Sequence, residues 1–185
     1  AWSPTANAVI AIGTVATGVE CQMDFLDLDL ADIPRIIIKD VIQKHLGGNL
    51  KCLKMAMMHE VTEGPAAGHL VIGAVIKDDG PSQRVSGFLG LLNITGGNRT
   101  LVGGSEVVDF GVVGASSTTY FAAAYDADSG MGFAVFEATL IKFRFEQESD
   151  GEARLTTYGQ QALSDARIRT MDVFPEQQVV LAPLS

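Results

Sequence analysis

Acidic side chains at metal-loop spacing are the first chemistry this sequence offers. Asp126, Asp128 and Glu137 occupy the first, third and twelfth places of a calcium-binding loop. The same alignment puts Gly130 where an oxygen ligand is needed and Met131 where the turn demands glycine. The flanks read as strands, not helices, so the three are read as hairpin-loop acids. A calcium site shared between subunits, drawing on Asp27, Asp29 or Asp32, is the alternative arrangement. His59-Glu60 begins like a zinc-protease helix but has no second histidine at the required spacing. His45 and His69 are equally isolated and read as surface or satisfied strand residues. There is no G-x-S-x-G elbow and no Cys-x-x-Cys. Gly103-Gly104 and Gly111–Gly114 do not lead into a helix that could cradle phosphate. The residues assemble no nucleophile, base and orienting acid, so no catalytic, cofactor or metal residue is assigned and the chain is read as a non-enzyme. A hydrolase on a β-sandwich lacks an identifiable acid–base pair.

Cys21 and Cys52 lie far apart in strand-like runs. They read as buried free thiols, with a single disulfide the alternative that spacing does not decide. Asn93-Ile-Thr95 and Asn98-Arg-Thr100 are glycosylation patterns that matter only in a secretory pathway. The net charge of −9 argues against a free-standing nucleic-acid binder, which needs a basic face. Five basic residues, Arg35, Lys39, Lys44, Lys51 and Lys54, do cluster. They read as a solvated helix face and its following strand, with weak, non-specific RNA contact as their functional use. No apolar run reaches the roughly 20 residues of a membrane helix. The opening Ala-Trp-Ser-Pro carries no signal-peptide pattern and no initiator Met, which is read as either processing from a longer precursor or trimming.

The elements that must hold these residues are mostly strands. From Thr118 to Gln147 two long antiparallel strands are expected around a turn at 126–132. In the second, Ile141, Phe143 and Phe145 alternate with Lys142, Arg144 and Glu146, the period of a half-buried strand. Phe121, Phe133 and Phe136 join Phe143 and Phe145 as core candidates rather than a base-stacking platform. Further strands are expected at Val9–Ala16, Val19–Leu30, Leu50–Val61, Leu70–Lys77, Val85–Leu92 and Glu106–Val113. In Val19–Leu30 the apolar set slips by one place near Phe25–Leu26, which requires a bulge. Asp32-Ile-Pro34 opens the one expected helix and Gly47-Gly48 ends it, with Ile33, Ile36, Ile37, Val41 and Leu46 inward. Gly159–Arg169 is a second, shorter helical candidate. Residues 1–8 and 173–185 read as extended terminal arms.

The order predicts a single all-β domain over residues 1–185, a jelly-roll sandwich of about eight to ten antiparallel strands with one short helix. In Val19–Leu30, Asn49–Val61, Gly68–Lys77 and Phe133–Glu146, by strand order and length, the chain resembles the coat proteins of small icosahedral plant RNA viruses. The likeness covers about half the chain and has no diagnostic motif. It implies a capsid subunit that assembles with copies of itself around an RNA genome, located in a virion, without a membrane. Such coats often carry a basic N-terminal arm, whereas Ala1–Gly18 has no Lys or Arg. The likeness then implies a removed arm or a subunit cut from a polyprotein. The competing reading is a secreted, extracellular β-barrel that binds or cyclises a small apolar ligand. Leu101–Val113 resembles dirigent-like barrels, and Asp109, Tyr120 and Glu137 would be the pocket's polar groups.

Overall fold

The computed structural model describes residues 2–14, 21–26, 32–64, 66–81, 84–95, 99–102, 106–113, 121–126, 129–136, 138–147, 153–163, 172–174 and 179–181. For residues 2, 13–14, 32–35, 56–58, 106–113, 121, 136, 147, 172–174 and 179–181 the description is of the backbone alone. The first sheet comprises β1 (Trp2–Ser3), β2 (Ala8–Thr14), β3 (Cys21–Leu26) and β4 (Asp32–Ile37). Helix α1 (Ile38–Leu46) follows. The second sheet is β5 (Leu50–Val61), β6 (His69–Asp78), β7 (Val85–Asn93) and β8 (Glu106–Val113). The third is β9 (Phe121–Asp126), β10 (Met131–Phe136), β11 (Thr139–Gln147) and β12 (Ala153–Ala162). Two short strands, β13 (Asp172–Phe174) and β14 (Val179–Leu181), pair with each other.

The all-β, antiparallel character and the single short helix agree with expectation. The order does not follow the jelly-roll pattern. Every pairing among the described strands joins neighbours in sequence, so each sheet is a meander and none closes on itself.

The second sheet lies between the other two, and its sequence explains why. β6 (HLVIGAVIKD) and β7 (VSGFLGLLN) are apolar at consecutive positions, the mark of a strand covered on both faces. Val71, Val75, Leu89 and Leu91 face one core with Ile141, Phe143, Phe145 and Leu155 of the third sheet. Leu70, Ile72, Ala74, Ile76, Phe88 and Leu92 face the other with Ile10, Met23 and Phe25 of the first sheet and Ile38 and Ile42 of α1.

Several expectations are corrected. The helix begins at Ile38, and Asp32–Ile37 is a strand on the edge of its sheet. Pro34 disfavours helix at Ile33, and the β-branched run Ile36–Ile37 suits a strand. The helix's fully buried pair is therefore Ile38 and Ile42, while Val41 and Leu46 are partly buried. Gly47 does end the helix, with φ +76° and its N–H bonded to Gln43 O at 2.8 Å. β3 pairs regularly at Phe25–Leu26, where a bulge was expected; the register shift lies between Met23 and Phe25, and its extra residue belongs to β4, around Pro34-Arg35. The apolar slip at 27–30 lies outside the described residues. The long second strand of the expected hairpin is two strands. Phe136 pairs with Thr139, so β9, β10 and β11 make a three-stranded meander. Residues 159–162 continue β12 rather than starting a helix; 164–169 lie outside the described residues. The N-terminal segment is not an arm: Ser3 pairs with Ala8 and is 1 % exposed, and Thr5 N–H donates to Glu60 Oε1 at 2.9 Å. In the expected C-terminal arm, Val173 pairs with Val180.

Cys21 and Cys52 are not free thiols. They form a disulfide, with Cα atoms 5.4 Å apart, that ties β3 to β5 and so joins the first sheet to the second. Both are fully buried, which is why they look like core residues in the sequence.

Candidate functional site

Two features stand out on this frame: a cleft beside α1 and the open edge of the third sheet. The cleft has a volume of about 360 Å³. One wall is α1, where Asp40, Val41, Lys44 and His45 share a face because they repeat at four-residue spacing. Ile38 and Ile42, buried on the adjoining face, hold the helix against the core. The other wall is Arg99–Leu101, which runs back beside β7: Asn93 N–H donates to Thr100 O and Val102 N–H to Leu91 O, each at 2.9 Å, and Leu101 bridges Leu92. Val41 and Leu101 form an apolar floor continuous with the inner core.

Arg99 is the fixed cation of the cleft. Its guanidinium lies 4.2 Å from the centre of the Phe25 ring and donates to Ile94 O. Burial pushes its pKa below the ordinary arginine value, but a guanidinium stays charged at neutral pH. Lys44 and His45 stand in the last turn of α1, where positive charge complements the helix dipole.

On the outer face of the third sheet, Glu146 accepts bonds from Arg144, from the Tyr158 hydroxyl and from Thr156 Oγ1 (3.1 Å). The Tyr158 hydroxyl, then the Arg144 guanidinium, hold the Glu146 carboxyl below the usual range. The bond to Glu146 holds the Tyr158 phenol above its usual range. The Arg144 guanidinium lies 5.2 Å from the Tyr158 ring, and Lys142 Nζ is 5.9 Å from the Phe133 ring. Phe133 therefore sits on this outer face beside a lysine, whereas Phe143 and Phe145 are core as expected. Phe121 and Phe136 have no described side chains.

The third sheet ends in β12. Its first residues alternate, Ala153 and Leu155 buried against Arg154 and Thr156. From Thr157 to Ala162 six consecutive residues are exposed, although they pair with β11 beside the core residues Phe143 and Ile141. Gly159, at φ +124°, sits in the bulge where Tyr158-Gly159 opposes Lys142.

The other expected residues do not converge. Asp126 accepts from Ser129 N–H (3.1 Å) and Ser129 Oγ, so it shapes the turn between β9 and β10. Asp27, Asp29, Tyr120, Asp128 and Glu137 lie outside the described residues; Asp32 and Asp109 are placed in β4 and β8 by backbone alone. Among the described residues no group of three His, Cys, Asp or Glu could hold a metal. The ring of His59 packs 5.7 Å from that of Tyr125, and His69 Nδ1 lies 3.1 Å from the Ala66 and Ala67 carbonyls. Burial, then the Asp126 charge, raise the Tyr125 phenol above its ordinary value. The basic cluster is spread over three elements. Lys39 is 3.7 Å from Asp40, Lys51 is 2.5 Å from Asp79, Lys44 lines the cleft, Lys54 is exposed on β5, and Arg35 is placed in β4 by backbone alone.

Arg99 was legible only as part of a glycosylation pattern, and nothing local marks it as a cleft residue. The β12 strand left a readable signal in the alternation of Ala153 and Leu155. Among the described residues no helix is long and apolar enough to cross a membrane. No family model matches the chain, and no curated protein matches it either.

Proposed function

We propose that this chain is a structural subunit that assembles with copies of itself, in the manner of the coat subunit of a small icosahedral RNA virus. One observation carries the reading: among the described residues, no strand pairs with the outer side of β12. Residues Thr156–Ala162 (TTYGQQA) contain no charge and no proline, and all but the first are exposed. Edge strands of proteins that stay single usually carry lysine, proline or a covering segment. Here the bulge at Gly159 is the one protective device in the run. Antiparallel pairing of this edge with the same edge of a second copy is self-complementary and doubles the third sheet. Copies that each carry −9 can meet there because no like charges face each other within the run. Repulsion from the rest of each copy is screened over about 8 Å at physiological salt. RNA contact in such an assembly would be slight and independent of sequence, since Lys39 and Lys51 already have acidic partners.

Light scattering on the purified protein over a wide concentration range tests this. Discrete oligomers or large particles are expected, and Thr157→Lys with Gln161→Lys should shift them to smaller species without lowering the melting temperature. A parent protein that is monomeric throughout, or a lysine variant that assembles equally well, defeats the reading.

A second reading, an extracellular small-ligand protein, is favoured by the Cys21–Cys52 disulfide. Such bonds persist in oxidising compartments and are rare in the cytosol.

A further inference from the structure

The cleft between α1 and Arg99–Leu101 has a composition that neither the assembly reading nor any bulk property of the chain requires. Its volume lies at the lower end of the roughly 300–1,000 Å³ common for small-molecule sites. Its floor, Val41 and Leu101, is apolar and continuous with packed core, so a bound apolar body would be shielded from water on that side. Two permanent cations, Arg99 and Lys44, together with His45 and a single acid, Asp40, surround that floor. This is an unusual balance for a protein with 22 acidic and 13 basic residues.

Within that set Arg99 differs from the lysine. A guanidinium carries five N–H donors, and the Ile94 carbonyl takes the bond from one nitrogen. The Phe25 ring beneath it fixes the plane of the group, so little side-chain entropy remains to be lost when an anion binds. Lys44 is exposed in the last turn of α1, which makes it a rim charge that steers, while the half-buried Arg99 is the anchor.

We infer that this cleft binds a small organic anion, with its acidic head on Arg99 beside Lys44 and its apolar body over Val41 and Leu101. The inference rests on the cleft alone and stands whether or not the chain assembles. A head group held by a charge-assisted hydrogen bond in this half-buried setting discriminates strongly against a neutral analogue. Asp40, on the helix face, disfavours a second negative group, so the ligand carries one acid rather than two.

The test uses the full chain and two fluorescent probes with the same fused-ring frame. One is 8-anilinonaphthalene-1-sulfonate; the other is N-phenyl-1-naphthylamine, which lacks the sulfonate. Saturable binding of one sulfonate probe per chain is expected, with the neutral probe about tenfold weaker, the factor that corresponds to about 1.4 kcal/mol. Arg99→Gln should weaken the sulfonate about tenfold and leave the neutral probe within about twofold. Because Arg99 also packs on Phe25, Lys44→Glu on the exposed rim provides an independent variant and should weaken only the sulfonate. Val41→Trp, which fills the floor, should weaken both probes. Equal affinity for the two probes overturns the inference. So does Lys44→Glu leaving sulfonate affinity unchanged, or Val41→Trp leaving both probes unchanged.

Discussion

Gly132 is the position at which a single methyl group tests the packing of the third sheet on the second. It lies on β10, paired with Tyr125 on one side and with Phe143 on the other. A Cβ built there would stand 2.5 Å from Phe143 Cε2 and 2.6 Å from Cε1, with Cζ nearer still. The ring is flat against the glycine backbone, an arrangement in which an aromatic covers a strand glycine. It has little room to withdraw, since Phe143 is fully buried between Tyr125 (centroids 6.3 Å) and Phe145 (5.9 Å). Overpacking of this kind costs about 1–3 kcal/mol, and a clash with three ring atoms belongs in the upper half of that range. Alanine for glycine inside a strand ordinarily gains about 0.5–1 kcal/mol. The net expectation for Gly132→Ala is therefore a loss of about 1–2.5 kcal/mol, or about 2–10 °C in melting temperature for a chain of this size. Urea unfolding followed by circular dichroism measures it. Combining Gly132→Ala with Phe143→Leu should cost at least about 1 kcal/mol less than the two changes summed. A Gly132→Ala protein as stable as its parent, or strict additivity in the pair, would refute the register of β10 against β11.

Three further outcomes are expected. Replacing both Cys21 and Cys52 with Ala opens a loop of 31 residues and should cost roughly 3–4 kcal/mol on loop-closure grounds; a loss below about 1 kcal/mol in the urea midpoint analysis contradicts the bridge between the first two sheets. The Glu146 carboxyl, read by carbon-detected NMR, should titrate below the ordinary value of about 4.3 and move up in Tyr158→Phe. Because its folded pKa is depressed, whatever it contributes to stability is present above the unfolded pKa and is lost as pH falls through the folded one; an unshifted titration removes that effect. Phe143→Ala should destabilise by about 3–5 kcal/mol, and a near-zero change would place the ring at the surface.

How far the fold could be read in advance varied with the element. Leu50–Val61 and Glu106–Val113 were legible to the residue, because turn formers bracket runs of strand-forming residues. The alternation of Ile141, Phe143 and Phe145 with charged residues settled which face of β11 is buried. The helix start was misjudged because Asp32 and Pro34 carry the local signature of a first turn. Pairing with β3 overrides that signature at the edge of the sheet. The candidate site was less legible still. Arg99 gains its position from a ring 74 residues earlier in the chain, and only packing brings Phe25 beneath it.

Sequence alone determined the antiparallel β character, most strand positions and the presence of one helix ended by Gly47, because side-chain periodicity and turn chemistry act over a few residues. Tertiary structure alone decided that three meanders stack with β5–β8 in the middle. It also decided that Cys21 meets Cys52, that Phe143 lies over Gly132 and that β12 stands at the edge of its sheet among the described strands. Each of these depends on which surfaces meet across the chain, and no local pattern encodes that choice.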